Sequence, residues 1–102
     1  MRIGAAQIPV TTNVEDNLKN ILEACDWAVK NKLDYLLTPE CALSGYDTMT
    51  WNLNTCGPTE QAMEKLKEYS KNTGLGLAIG TLWIYDKAVS YTHLRAHETL
   101  LY

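Results

Sequence analysis

The sequence lacks the features that would place it in several large functional classes. It has no cluster of Lys and Arg, and its net charge is −3, so nothing predicts the phosphate contacts that dominate nucleic-acid binding. No stretch approaches the roughly 18 consecutive apolar residues of a membrane span. The N-terminus is a poor signal peptide, because Gln7 and Pro9 interrupt its short apolar run. We therefore expect no nucleic-acid partner, no membrane partner and a cytoplasmic location.

Paired metal ligands and paired thiols are also missing. The cysteines are odd in number and form no Cys-x-x-Cys pair: they are Cys25, Cys41 and Cys56. This pattern argues against a disulfide framework and a zinc site. His93 and His97 have a helical i, i+4 spacing, but Leu94 stands where the zinc-protease motif needs a Glu. The sequence thus predicts free thiols, no metal and no cofactor.

What the sequence does have is two segments with helical periodicity. Asn13 is a plausible N-cap for the first, which is expected to end at Asn31-Lys32. Its apolar stripe consists of Val14, Leu18, Ile21, Leu22, Cys25 and Val29. The second helix is expected to begin at Pro58 and to end at the C-cap Gly74. Its stripe consists of Ala62, Met63, Leu66 and Tyr69.

Three apolar segments predict strands at residues 2–10, 34–38 and 75–83. The third is apolar nearly throughout, so it is expected to be central in the sheet. The order β-α-β-loop-α-β, with a loop at residues 41–57, predicts an α/β fold whose first two strands are parallel.

Glu40 is the candidate functional residue that the pattern brings out. Ligands of open α/β folds bind beyond the carboxyl ends of the parallel strands. Glu40 lies there, just after the strand at 34–38 and directly after Pro39. Partial burial against apolar residues and the aromatic loop is expected to raise its pKa toward that of a general base. The alternative for a strand-end Glu is a solvated surface charge.

A longer run carries a family resemblance. Residues 36–46, LLTPECALSGY, resemble the first signature of the nitrilase superfamily of carbon–nitrogen hydrolases, in which an apolar strand ends in Pro-Glu and a Gly-Tyr follows. Residues 3–7 resemble the family's first strand, residues 13–17 the start of its first helix, and Gly80-Thr81 the segment after its second helix. The resemblance extends from residue 1 to about residue 87 without a large insertion.

The resemblance implies the N-terminal part of a nitrilase-type α-β-β-α sandwich and a Glu–Lys–Cys triad. Glu40 matches the Glu, which would act as general base on a cysteine thiol that attacks the substrate and forms a thioester. Tyr46 is a candidate substrate-binding residue, and Trp51 lies in the same loop, although core packing is the alternative for both. The implied partners are a small amide, carbamoyl or nitrile substrate and, for the full-length parent, further copies of the same subunit.

The Lys and the Cys of the triad have no counterpart in this sequence. None of the three cysteines matches the nucleophile's motif. Cys41 adjoins Glu40, but neighbouring side chains along an extended chain point to opposite faces. Lys87 lies near the family's lysine region, but its surroundings do not match. We therefore expect the chain by itself to be inactive.

Residues 89–102 depart from the family's pattern. They read VSYTHLRAHETLLY, where the family continues with a turn, another strand and the lysine. This string resembles a translated sequencing-adaptor read-through. The expected organisation is therefore residues 1–88 as the N-terminal portion of a carbon–nitrogen hydrolase domain and residues 89–102 as a non-native tail. A true divergent C-terminus is the alternative.

Two other function classes stay open. A short protein could keep the nitrilase-like half as a non-catalytic binding or dimerisation module. Gly74, Gly76 and Gly80 suggest a nucleotide-binding loop, but they precede a strand and the dinucleotide fingerprint follows one, so the pattern favours a helix cap and close sheet packing. Half of the sandwich would leave an apolar sheet face and strand edges uncovered, which predicts poor solubility.

Overall fold

The computed structural model describes residues 1–45, 57–84 and 94–101. Its elements are β1 (Ile3–Ala5), α1 (Val14–Lys30), β2 (Tyr35–Leu37), α2 (Gly57–Thr73), β3 (Gly76–Ile84) and β4 (Leu94–Leu101). The strands form one sheet in the order β1-β2-β3-β4, in which β2 is parallel to β1 and β3, and β4 is antiparallel to β3. The predicted α/β class and the inner position of β3 are confirmed. The sequence did not predict β4.

Both ends of α1 are capped by asparagine side chains. Oδ1 of Asn13 accepts a hydrogen bond from the amide of Asp16 at 3.0 Å, which satisfies one of the free N–H groups of the first turn. Nδ2 of Asn31 donates to the carbonyl of Trp27 at 2.8 Å. Asn13 is therefore the N-cap, and the predicted bounds of the first helix are confirmed.

The end of α2 uses a glycine instead. Gly74 has φ +77°, and its amide donates to the carbonyl of Ser70 at 2.9 Å. A backbone conformation of this kind favours glycine, so the predicted C-cap is confirmed. Helix α2 begins at Gly57, one residue before the predicted start.

Among the described residues, no helix is long and apolar enough to cross a membrane.

The helices pack on the sheet through the predicted stripes, with one error. Ile21 and Cys25 of α1 are fully buried, and Val29 is 40% exposed because Ala28 takes the inward position in the last turn. The buried core includes residues from both helices, the strands and the turn after β2: Ile21, Cys25, Ala28, Leu36, Ala42, Leu43, Ala62, Met63, Leu66, Leu75, Leu77 and Ile79.

The first strand is shorter than predicted. The amide of Ala6 still donates to the carbonyl of Leu37 at 2.8 Å, but the partner strand β2 ends there, so the ladder cannot continue. Ile3 and Leu37 are 59% and 42% exposed on the sheet face opposite the buried Leu36. One face of the described sheet is thus covered by helices and the other is open at β1 and β2.

Candidate active site

Glu40 begins a turn at residues 40–44, directly after the carboxyl end of β2. Because β1, β2 and β3 are parallel, this is the edge of the sheet at which α/β proteins bind ligands. The Glu40 side chain is exposed, so its expected partial burial is wrong. The turn directs its next residues inward instead, since Cys41 and Ala42 are 1% and 0% exposed. The predicted location of Glu40 is found, and its catalytic role stays a prediction.

Thr38 joins the chain just before Glu40 to β3. Its amide donates to the carbonyl of Ala78 at 3.0 Å, and its hydroxyl donates to the same oxygen at 2.9 Å. The hydroxyl oxygen also accepts from the amide of Gly80 at 3.0 Å. The pairing of β2 with β3 therefore continues past Leu37 through a side chain.

Gly80 lies directly beneath the turn. A Cβ built on it would meet the carbonyl oxygen of Pro39, and it would lie 2.8 Å from the amide nitrogen of Cys41 and 3.1 Å from Cα of Glu40. All three are backbone atoms, which cannot swing away as the end of a side chain can. The turn approaches β3 this closely because Gly80 has no side chain, as expected from its predicted role in close sheet packing.

The rest of the turn is hydrogen bonded to the same strand. The amide of Leu43 donates to the carbonyl of Gly80 at 3.0 Å, and the amide of Leu82 donates to Oγ of Ser44 at 2.8 Å. Ser44 is 4% exposed. Cys41 has φ +52°, a conformation that non-glycine residues adopt at a cost and that surrounding contacts must maintain. These contacts fix the backbone on both sides of Glu40.

A buried amide, Asn17 of α1, connects the turn to the β1–α1 loop. Its Nδ2 donates to the carbonyls of Thr11 and Leu43, both at 2.8 Å, and its Oδ1 accepts from the amide and the hydroxyl of Thr11, both at 2.9 Å. Asn17 is 0% exposed. Asn17 was not predicted from the sequence as a residue of the site. The available signal was its spacing, three residues after Val14 and four before Ile21, which places a polar side chain on the apolar face of α1.

Gly45 ends the turn in a conformation that favours glycine, with φ +81°. A Cβ on Gly45 would also meet the carbonyl oxygen of Thr11. Both Asn17 and Gly45 therefore hold the β1–α1 loop against the turn that carries Glu40.

The thiols in the described part of the chain are core residues. Burial, with a smaller contribution from Asp26, raises the pKa of the Cys25 thiol to about 12, so it stays protonated near neutral pH. Cys25 and Cys41 are free, as predicted, and both are buried; burial was expected for Cys25 from its place in the apolar stripe and was not predicted for Cys41. In the described residues, no group of three His, Cys, Asp or Glu side chains could hold a metal ion. The candidates Tyr46 and Trp51 lie outside those residues, as do Cys56, Lys87 and His93.

A depression in the surface lies at the other end of the sheet. Its lining residues are Met1, Asp34, Tyr35, Ser70, Gly74 and Gly76. They surround the beginnings of β1, β2 and β3 and the end of α2. The depression and Glu40 thus lie at opposite ends of the parallel strands, and the depression does not include Glu40.

Comparison with known proteins connects this geometry to a family. The family profile described as "Carbon-nitrogen hydrolase" matches residues 2–95, which include Asn17, the turn at 40–44 and Gly80. The chain is also 29% identical over 87 residues to "Nitrilase homolog 2" of Dictyostelium discoideum, an alignment that covers 85% of this chain and 26% of that protein. The chain therefore spans about a quarter of the length of this curated relative. With the family profile matching most of its length, the chain belongs to the carbon–nitrogen hydrolase family, within the nitrilase superfamily.

Proposed function

We propose that this chain is the N-terminal part of a hydrolase that cleaves non-peptide carbon–nitrogen bonds, and that Glu40 is its general base. The full-length protein is called the parent enzyme below. The observation that supports the proposal most directly is the fixed position of Glu40 at the carboxyl edge of the parallel strands, inside the segment that matches the family. Its exposed side chain is accessible to groups that the rest of the parent enzyme would bring to this edge.

In the proposed reaction, the Glu40 carboxylate takes the proton of a cysteine thiol, and the thiolate attacks the carbonyl carbon of an amide. A lysine stabilises the negative charge that develops on the carbonyl oxygen. Ammonia or an amine leaves with the proton from Glu40, and a thioester remains. Water then attacks the thioester while Glu40 takes its proton, and the acid is released as the thiol is restored.

The lysine and the nucleophilic cysteine come from parts of the parent enzyme beyond the matched segment. In the described chain, Cys25 and Cys41 are buried, and the raised pKa of Cys25 makes it a poor nucleophile. We therefore propose that the 102-residue chain alone hydrolyses no amide. The open sheet face at Ile3 and Leu37 also favours a chain that needs further structure to be stable.

The remaining parts of the proposal concern the parent enzyme. Its substrate is a small amide, carbamoyl compound or nitrile, and Tyr46 contributes to the substrate pocket. The protein acts in the cytoplasm and assembles with copies of itself. The substrate, the role of Tyr46 and the assembly rest on the family resemblance, and the location rests on the poor signal-peptide character of the N-terminus. The substrate panel described next tests the first of these points.

The test uses the parent enzyme with a simple aliphatic amide, an N-carbamoyl amino acid and an aliphatic nitrile, each followed by ammonia release. Adding hydroxylamine traps a thioester as the hydroxamate. We expect at least one substrate to react and Glu40→Gln to lower kcat by about 10²–10⁴-fold, the usual contribution of a positioned acid–base group. Glu68→Gln, at an exposed glutamate of α2, is the matched control and should leave kcat unchanged.

Two results would contradict the proposal. Turnover by Glu40→Gln at the wild-type rate would exclude Glu40 as the base. Amide hydrolysis by the 102-residue chain itself would show that the missing residues are not needed. A stable, monodisperse chain without activity would instead favour the binding or dimerisation module.

A further inference from the structure

We propose that Thr38 and Gly80 together act as positioning residues for Glu40, an inference that rests on the proposed function. We call this pair the clasp. It consists of the Thr38 hydroxyl, which is hydrogen bonded to the backbone of β3, and of Gly80, whose backbone lies beneath the turn and carries no side chain. The clasp sets the distance and direction from which the Glu40 carboxylate meets the thiol. Neither residue touches substrate.

The steric part of the clasp is Gly80. The built Cβ would lie 3.1 Å from Cα of Glu40 itself and 2.8 Å from the amide nitrogen of Cys41. Both distances are shorter than ordinary contacts to a Cβ, and the opposing atoms belong to a turn that is hydrogen bonded on both sides. An added methyl group therefore displaces the backbone of Glu40 by a few tenths of an ångström or more.

The polar part of the clasp is the Thr38 hydroxyl. It donates to the carbonyl of Ala78 at 2.9 Å and accepts from the amide of Gly80 at 3.0 Å. Thr38 lies two residues before Glu40, with the stiff Pro39 between them. Because Pro39 restricts the backbone angle between them, a displacement of Thr38 also displaces Glu40.

A general base is sensitive to displacements of this size. Proton transfer needs the carboxylate within about 2.6–3.2 Å of the group that it deprotonates. A misplacement of about 1 Å in a catalytic arrangement can cost about 10²-fold in rate. The clasp should therefore affect kcat and thiolate formation more than substrate binding.

The experiment measures kcat and KM of the parent enzyme on the substrate found above, together with the pH dependence of the rate at which iodoacetamide alkylates the nucleophilic cysteine. For Gly80→Ala we expect kcat to fall by about 10–10²-fold with KM changed less than about 3-fold. We also expect alkylation to require a higher pH, because a displaced base helps thiolate formation less. Gly57→Ala is the matched control, since a Cβ there meets nothing within 4 Å.

A second pair of variants keeps the test decisive if Gly80→Ala does not fold. Thr38→Val removes the hydroxyl with little change in shape, and we expect kcat to fall by about 10-fold. Thr38→Ser keeps the hydroxyl and should restore most of the wild-type kcat and the wild-type alkylation profile. A role in stability alone would lower the melting temperature and leave both readouts of the folded enzyme unchanged.

The outcomes separate this inference from the proposed function. If Glu40→Gln abolishes turnover while folded Gly80→Ala or Thr38→Val keep the wild-type kcat and alkylation profile, the clasp is not a positioning device and the proposed function stands. If Glu40→Gln has no effect, the base assignment fails, and the inference about the clasp fails with it.

Discussion

The carboxyl ends and the amino ends of the parallel strands β1, β2 and β3 are held by different kinds of contact. At the carboxyl end, the turn that carries Glu40 is held by buried groups: Asn17 and Ser44 are 0% and 4% exposed. At the amino end, the amide of Arg2 donates to the exposed carboxylate of Asp34 at 2.7 Å. Buried hydrogen bonds are costly to break, whereas exposed ones exchange readily with water.

The glycines show the same contrast. Gly45 and Gly74 have nearly the same backbone angle, φ +81° and +77°. A Cβ on Gly45 meets the carbonyl oxygen of Thr11, whereas a Cβ on Gly74 meets nothing within 4 Å. The difference between Gly45 and Gly74 indicates that the backbone is packed more closely at the end that carries the candidate base, and we expect the end of α2 beside the depression to tolerate substitution better. The following predictions test that contrast by the free energy of unfolding of the parent enzyme.

The largest effect is expected for Asn17→Ala. The variant leaves the carbonyl of Leu43 without its buried partner, at a cost of about 1–3 kcal/mol, and removes the part-buried bond from the amide of Thr11, which contributes about 0.5–1.5 kcal/mol. We expect the free energy of unfolding to fall by about 3 kcal/mol, measured by urea unfolding with tryptophan fluorescence. Asn72→Ala, at an exposed asparagine of α2, is the control and should change it by less than about 0.5 kcal/mol. Equal losses of unfolding free energy in Asn17→Ala and Asn72→Ala would show that the buried hydrogen bonds of Asn17 contribute no more than an exposed side chain.

The next largest effect on stability is expected in the comparison of Gly45→Ala with Gly74→Ala. A positive φ costs an alanine about 1–2 kcal/mol in either place. Gly45→Ala must also displace the carbonyl of Thr11, so we expect it to destabilise the protein by about 1 kcal/mol more than Gly74→Ala. Urea unfolding of both variants measures the difference. If Gly74→Ala proved the more destabilising, the amino end of the sheet would be the more closely packed end.

A difference of similar size is expected for two serines. Ser44→Ala leaves the buried amide of Leu82 unpaired, at a cost of about 1–3 kcal/mol. Ser70→Ala removes a bond of 2.6 Å to the carbonyl of Leu75 that is only partly buried, so about 0.5–1 kcal/mol is expected. Amide hydrogen exchange at Leu82 gives a local measurement: it should accelerate in Ser44→Ala and stay slow in Ser70→Ala.

The smallest effect is expected for Asp34→Asn at the amino end. Its carboxylate bonds the amide of Arg2 in an exposed position, where such contacts contribute little. We expect the melting temperature to change by less than about 2 °C, as measured by differential scanning fluorimetry. A large loss of stability would show that the amino end is also held tightly.

The sequence predicted those parts of the fold that depend on local signals. The cap at Asn13, the cap at Gly74 and the stripe through Ile21 and Cys25 each depend on residues within a few positions of one another. Periodicity and capping chemistry reveal such features directly. The location of Glu40 after the second strand belongs to the same class of prediction.

The parts that the sequence did not predict depend on residues far apart in the chain. The bond from Asn17 to Leu43 spans 26 residues and that from Thr38 to Gly80 spans 42. The exposure of Glu40 follows from the inward direction of Cys41 and Ala42, which the turn's contacts with β3 determine. Spacing along the sequence can place a residue such as Asn17 on a buried face, but it does not identify the distant partner that the residue contacts.

The span of the Thr38–Gly80 contact also sets the order of events during synthesis. The turn around Glu40 cannot take its final shape until β3 has left the ribosome, because its bonds to Gly80 and Leu82 close only then. At about 5–20 residues per second, the 42 residues between Thr38 and Gly80 take roughly 2–8 seconds to translate. During that interval the residues of the turn that become buried against β3, among them Cys41, Ala42 and Leu43, are without the strand that covers them.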